Sequence, residues 1–220
     1  MWLLRPFGVY RPQNDTWLLA DAVRQAGIRP GADVLEICSG TGALSIVAAA
    51  TRPRTQTAVD VCRRAALATR VNTAVRGIDV RVECGDAFET VLGRRFDLVL
   101  ANPPYVPGVA DVPVGRARAW DAGVDGRAVL DRLCATAPLL LAPGGALLVV
   151  HSALSGVETT LRQLRGGDLK ASVVARADVP FGPVLRARQR LLRDQGRIRP
   201  GQQVEELVVI RADRPSVGTA

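Results

Sequence analysis

Asn102-Pro103-Pro104-Tyr105 follows directly on an apolar run, residues 96–101. Two prolines fix φ and remove backbone donors, so the tetrapeptide is stiff. The amide oxygen of Asn102 and the main-chain oxygen of Pro103, held at one spot, can each accept a proton from a planar NH2 group. That grip polarises the nitrogen and turns its lone pair toward an electrophile, a gain in orientation and electrostatics. Tyr105 offers a ring face for stacking on a flat acceptor. A turn that merely closes a strand explains one proline but not the whole tetrapeptide, so Asn102, Pro103, Pro104 and Tyr105 are the candidate catalytic residues.

The electrophile has its own signature upstream. An apolar run ends in Glu36-Ile37-Cys38-Ser39-Gly40-Thr41-Gly42, and Gly40 and Gly42 let the backbone turn tightly beside a ligand. No Gly-Lys-Ser/Thr follows, which disfavours a phosphate cradle. The next apolar run ends at Asp60, 18 residues past Gly42, where a carboxylate can accept hydrogen bonds from both hydroxyls of a ribose. A third run ends Cys84-Gly85-Asp86-Ala87, and Asp86 is expected to accept the exocyclic amino group of an adenine. Glycine loop, ribose acid and adenine acid in that order point to an adenosyl cofactor, S-adenosylmethionine rather than NAD. Taken singly, each acid could instead cap the turn that follows it.

These residues need strands whose carboxyl ends converge. Apolar runs at 34–38, 57–61, 80–84, 96–101, 146–151, 171–175 and 206–211 read as strands. Segments 15–26, 44–50, 63–76, 129–141 and 157–164 carry helical spacing. The alternation predicts an α/β fold with a doubly wound, mostly parallel seven-stranded sheet and an antiparallel last strand. The 220 residues, 48% hydrophobic, suit a single domain over 1–220. Residues 1–30 form a segment and helix over the cofactor site, 31–151 the cofactor-binding and catalytic core, and 152–220 the C-terminal strands. No apolar run approaches the roughly 20 residues of a membrane span, and no secretory leader is evident, so a cytoplasmic protein is expected. The four cysteines lack CxxC spacing, which argues against metal and for buried, reduced thiols. The net charge of +8 is almost all arginine, with Lys170 the one lysine, a bias that codon usage explains as readily as a polyanionic partner.

Together these motifs resemble the HemK/PrmC-type N5-glutamine methyltransferases, in particular the short branch without an N-terminal helical domain. Tyr10-Arg11-Pro12-Gln13-Asn14-Asp15-Thr16-Trp17-Leu18-Leu19 is similar to that branch's Tyr-x-Pro-x-Glu-Asp-Thr-x-Leu-Leu. Ala119-Trp120-Asp121-Ala122-Gly123 and Gly126-Arg127-Ala128-Val129-Leu130-Asp131-Arg132 are similar to its Trp-x-x-Gly and Gly-Arg-x-Val-x-Asp-Arg. The resemblance covers residues 9–151 and implies methylation of the Gly-Gly-Gln loop of a peptide-chain release factor. It implies cofactor contacts from Thr16, Glu36, Cys38, Gly40, Gly42, Asp60, Asp86, Ala87 and Asn102, and no metal. Some relatives work with a small activator subunit. Cys38 stands where the family has glycine, and Asn14 where it has glutamate.

The segment 181–201 is longer and more basic than a strand connection needs. Arg186, Arg188, Arg190, Arg193, Arg197 and Arg199 fall within fourteen residues, with Val184, Leu185, Leu191 and Leu192 spaced for a short amphipathic helix. A macromolecular clamp, nucleic acid included, is one expectation, a solvated face the other. The lone His151 reads as structural. Three further functions remain open: methylation of an exocyclic base amine in RNA or DNA, methylation of a small metabolite, and a non-enzymatic cofactor-binding scaffold.

Overall fold

The computed structural model describes residues 1–108 and 119–216. Its sheet has the order β3-β2-β1-β4-β5-β7-β6. The strands are β1 Asp33–Ile37, β2 Thr55–Asp60, β3 Arg81–Cys84, β4 Phe96–Ala101, β5 Leu141–Ser152, β6 Lys170–Pro180 and β7 Val204–Asp213. β1 to β5 pair in parallel, and β7 lies antiparallel between β5 and β6. All seven expected strands are present. β6 outruns its apolar stretch because residues 176–180, polar and apolar in alternation, still pair in register with β7.

The central strands read as unbroken apolar runs because both faces of the sheet are covered. Val99 and Ala101 of β4 enter one core with Leu35, Leu147 and Val149, while Leu98 and Leu100 enter the other with Val34, Leu148 and Val150. Helices α1 (Asn14–Gln25) and α2 (Ala43–Ala48) contribute Leu19, Val23 and Leu44 to the second core. The helices α5 (Ala128–Leu140) and α6 (Val157–Gly166) supply Leu130, Leu133, Leu161 and Leu164 to the first. α3 (Arg63–Ala74) crosses between β2 and β3, and α4 (Ala87–Thr90), a single turn too short to carry periodicity, follows β3. In the basic segment α7 (Pro183–Asp194) is the expected amphipathic helix, with proline at its start and Leu185 and Leu192 buried.

The strand order reverses between β1 and β4, so the loops after these strands flank a crevice. Among the described residues no helix is long and apolar enough to cross a membrane, and no cluster of His, Cys, Asp and Glu could hold a metal. The expectation of buried thiols holds for Cys134 alone. Cys62 and Cys84 are exposed, since both lie at strand or helix ends rather than in the cores.

Candidate active site

A cavity of about 360 Å³ opens over the carboxyl ends of β1, β2 and β4. Its lining includes Asp15, Glu36, Asp60 and Glu205 and, among the described residues, no arginine, lysine or histidine. Such a wall favours a cationic ligand and disfavours phosphates. A sulfonium cofactor carrying an ammonium group fits it; a pyrophosphate does not.

The glycine loop supplies the floor. Cys38 lies in the left-handed region (φ 60°), which explains the family's glycine at this position. An L-residue there is strained by about 1–2 kcal/mol, and glycine forfeits roughly 0.5–1 kcal/mol in chain entropy. Cys38→Gly is therefore expected to stabilise the protein by about 0.5–1 kcal/mol, read as a higher urea midpoint at constant m value. Gly40 lines the cavity, and its N–H donates to Asp60 Oδ2 at 2.8 Å. Gly42 has a different task from the one expected. It lies outside the lining at φ 75°, and a Cβ there would come within 2.8 Å of Thr69 Cγ2, so it allows α2 to close on α3.

Asp60 also accepts from the Cys62 N–H at 2.8 Å, and burial raises its pKa. Each carboxylate oxygen keeps a second lone pair for a ribose hydroxyl. Glu36, 2% exposed, accepts from the Ser45 N–H at 2.8 Å and from the Ser45 hydroxyl. Burial pushes its pKa up to about 8, against those bonds. Asp86 and Ala87, both expected at the cofactor, are not in the lining. The Asp86 carboxylate caps α4 through the Phe88 N–H and takes a two-pronged ion pair from Arg132 of α5, at 2.7 and 3.0 Å. The structure thus shows the capping role at Asp86, and the adenine contact stays an expectation.

The tetrapeptide is held from behind. Asn102 Nδ2 donates to the Thr16 hydroxyl at 3.2 Å, which leaves Oδ1 free of that bond. Thr16 in turn donates through its N–H (2.6 Å) and hydroxyl (3.2 Å) to Asp15 Oδ1. Tyr10 and Tyr105 both donate to Asp15 Oδ2, at 2.8 and 3.0 Å. Asp15 is thus a buried hub joining the N-terminal segment, α1 and the loop of Asn102 to Tyr105. Tyr105 corrects the expectation of an open stacking face: it is 9% exposed and packed in the core, and its phenol is held un-ionised by burial and by Asp15. Its carbonyl accepts from the Ser155 hydroxyl at 2.6 Å. Gly126 passes so close that a Cβ would stand 2.3 Å from the same carbonyl.

A model of the family described as the methyltransferase small domain matches residues 7–175. The chain belongs to that family. A Methanocaldococcus jannaschii relative, provisionally named a protein N5-glutamine methyltransferase, is 34% identical over 79% of this methyltransferase and 87% of its own length. The release factor glutamine methyltransferase of Deinococcus radiodurans is 36% identical over 64% of this chain, which spans 52% of that protein. Among solved structures, the Encephalitozoon cuniculi Mtq2–Trm112 complex, described as responsible for methylating eRF1, contains a chain that superposes with a TM-score of 0.62. That match has 21% identity and covers 94% of this chain and 99% of the other.

The methyltransferase keeps other residues at the site whose roles the sequence did not disclose. Arg127 is buried and donates to Asp131, to the carbonyls of Ser155 and Gly156, and to Thr160 and Gln163, so the Gly-Arg-x-Val-x-Asp motif ties α5 to α6 behind the catalytic loop. Arg188 of α7 donates to the Pro107 carbonyl at 2.7 Å and to Asp121 at 2.6 Å. It is a strut between α7 and the loop, not part of an open clamp, and Arg197 is likewise bound to the Leu154 carbonyl. Arg186, Arg190, Arg193 and Arg199 remain exposed. The start of α7, Gly182 to Leu185, does line the cavity, as an antiparallel β7 requires.

Proposed function

We propose that this methyltransferase carries the methyl group of S-adenosylmethionine to the side-chain nitrogen of a glutamine, in the Gly-Gly-Gln loop of a peptide-chain release factor. The observation that carries the reading is the fixed amide of Asn102. Its NH2 is engaged by Thr16, so its oxygen, with the Pro103 carbonyl, is available to two protons of a planar NH2 group. When bound, S-adenosylmethionine supplies a methyl carbon on a positively charged sulfur. Asp60 holds the ribose, Glu36 faces the cationic end, and Asn102 turns the acceptor's lone pair toward the methyl. The names of the relatives that share 34–36% identity agree with a glutamine acceptor. The test is incubation with methyl-labelled cofactor and purified release factor, followed by peptide mass analysis. N5-methylglutamine in the Gly-Gly-Gln peptide supports the reading, and label confined to nucleic acid sinks it.

Glu36 makes cofactor binding pH-dependent. A carboxyl titrating at about 8 is largely protonated at neutrality, and a cationic ligand favours its ionised form. Binding then releases a proton, so affinity should rise with pH up to about 8 and level off above it. Calorimetry in two buffers of different ionisation enthalpy reads that proton directly.

The exposed arginines of α7, beside the cavity mouth, favour one alternative acceptor, an exocyclic amine of a nucleic acid. A steep fall of activity with salt belongs to that case, a shallow one to a protein surface. A small activator subunit could pair with the exposed edge of β3, which ends the sheet. The cytoplasm is the compartment in which a release factor is met.

A further inference from the structure

Glu205, second residue of β7, lies in the cavity wall and is 8% exposed. Ser152 at the end of β5 lies close enough to couple to it, and its Oε2 has no hydrogen-bond partner. An idle buried carboxyl oxygen is costly, and such groups persist where another molecule completes them. Its surroundings are Tyr10 from the N-terminal segment, Asp15 from α1 and Tyr105 from the catalytic loop, all close enough to couple electrostatically. On β5, His151 is buried beside Ser152 with a pKa pushed down to about 4 by burial, and stays neutral. Val179 faces Glu205 across from β6 and does not titrate.

Methyl transfer moves a positive charge from sulfur onto the acceptor nitrogen, and that nitrogen must then lose a proton. The other carboxylates of the lining all accept hydrogen bonds from the protein, whereas Glu205 Oε2 accepts none. Asp15 accepts bonds on both oxygens, Glu36 is tied to Ser45, and Asp60 holds the glycine loop. Asn102 Oδ1 and the Pro103 carbonyl can orient N–H bonds but are too weakly basic to keep a proton. Resting on the reaction proposed above, the geometry points to Glu205 as a further catalytic group: its carboxylate meets the charge arriving on the acceptor nitrogen and takes the proton shed there, directly or through one water. The nitrogen lone pair forms the bond to the methyl carbon, the C–S bond breaks with its pair going to sulfur, and the N–H proton passes to Glu205 Oε2.

Burial sets the Glu205 carboxyl at about 7, the range a base needs at neutral pH. The ionised form is the active one, so activity should fall as pH drops below about 7 and reach a plateau above it.

The experiment measures kcat against pH at saturating cofactor, which removes the contribution of Glu36 through binding. The acceptor is purified release factor, with total cell extract, split into protein and nucleic-acid fractions, run in parallel. Wild type should lose close to tenfold per pH unit on the acid side. E205Q should be flat across the same range and about a hundredfold slower on the plateau, at the low end of what a positioned base contributes. E205D, which keeps the carboxylate, should recover the acid limb. E205Q and E205L should unfold at the same or a higher temperature, because the idle charge is gone, and any loss of cofactor affinity from a less acidic wall does not enter kcat at saturation; a purely structural glutamate predicts a lower melting temperature. An E205Q profile that retains the wild-type acid limb overturns the assignment. Should label enter only another fraction, the glutamine reading fails, and the same pH series on that fraction still decides the role of Glu205. If wild type labels nothing, both fall.

Discussion

Asn102→Ala is expected to lower kcat by about 10²–10³-fold, the loss that follows removal of one preorganised polar contact at a reacting centre. Cofactor affinity should change by less than about twofold, because the amide oxygen meets the acceptor and the side chain's one fixed bond runs to Thr16. Steady-state kinetics with calorimetry of cofactor binding separate the two quantities. A collapse of cofactor binding with normal residual turnover would transfer Asn102 from the acceptor side of the cavity to the cofactor side. Asn102→Asp is a sharper variant: the oxygen acceptor survives, but two oxygens compete to face Thr16 and the acceptor. Its loss should be smaller than that of alanine.

Asp15→Ala should be strongly destabilising. One buried carboxylate accepts from Tyr10, Tyr105 and both donors of Thr16. Deleting it strands these donors in a nearly dry setting, at about 1–3 kcal/mol for each that water cannot reach. A net destabilisation of about 3–5 kcal/mol is expected, a melting temperature lower by roughly 10 °C for a chain of this size. Turnover should fall as well, because Thr16 loses the partner that orients its hydroxyl toward Asn102. Asp15→Asn, which keeps shape and one acceptor oxygen, should recover part of both. A variant that melts like wild type would mean that Asp15 is not the hub.

The parts of the site legible in the sequence are those whose signal is local. Asn102 to Tyr105 are contiguous, Glu36 and Asp60 close apolar strands, and the unbroken apolar runs of a doubly covered sheet announce its strands. What escaped detection are contacts made across the chain. The phenol of Tyr105 reaches Asp15 ninety positions away, and Arg188 reaches Asp121 across sixty-seven. Arginine spacing records charge but not whether a guanidinium already has acceptors, and so Arg188 and Arg197 passed for open charges. Asp86 shows the same limit: its strand-end position is legible, but its two-pronged pair with Arg132, one helical turn into α5, is not. Glu205 had left a trace. It falls in alternation with the apolar Leu207 and Val209 two and four residues on, and a glutamate in that register asks for an explanation.

The position of β7 between β5 and β6 bears on how the chain is made. Translation delivers β6 before the strand that joins it to the sheet, so residues 170–180 must wait without a ladder partner until 204–213 have been synthesised. Growing chains fold from the N-terminus as they emerge, and the five parallel strands can assemble in that period while β5 remains the open edge of the sheet, capable of sticking to other chains. Glu205 arrives on the same late strand, and Arg188 locks the catalytic loop from the helix just ahead of it. A nascent chain on the ribosome therefore passes through an interval in which the five parallel strands are in place and the cavity wall that β7 adds is not. Chaperones that shield strand edges would act on this protein in that interval.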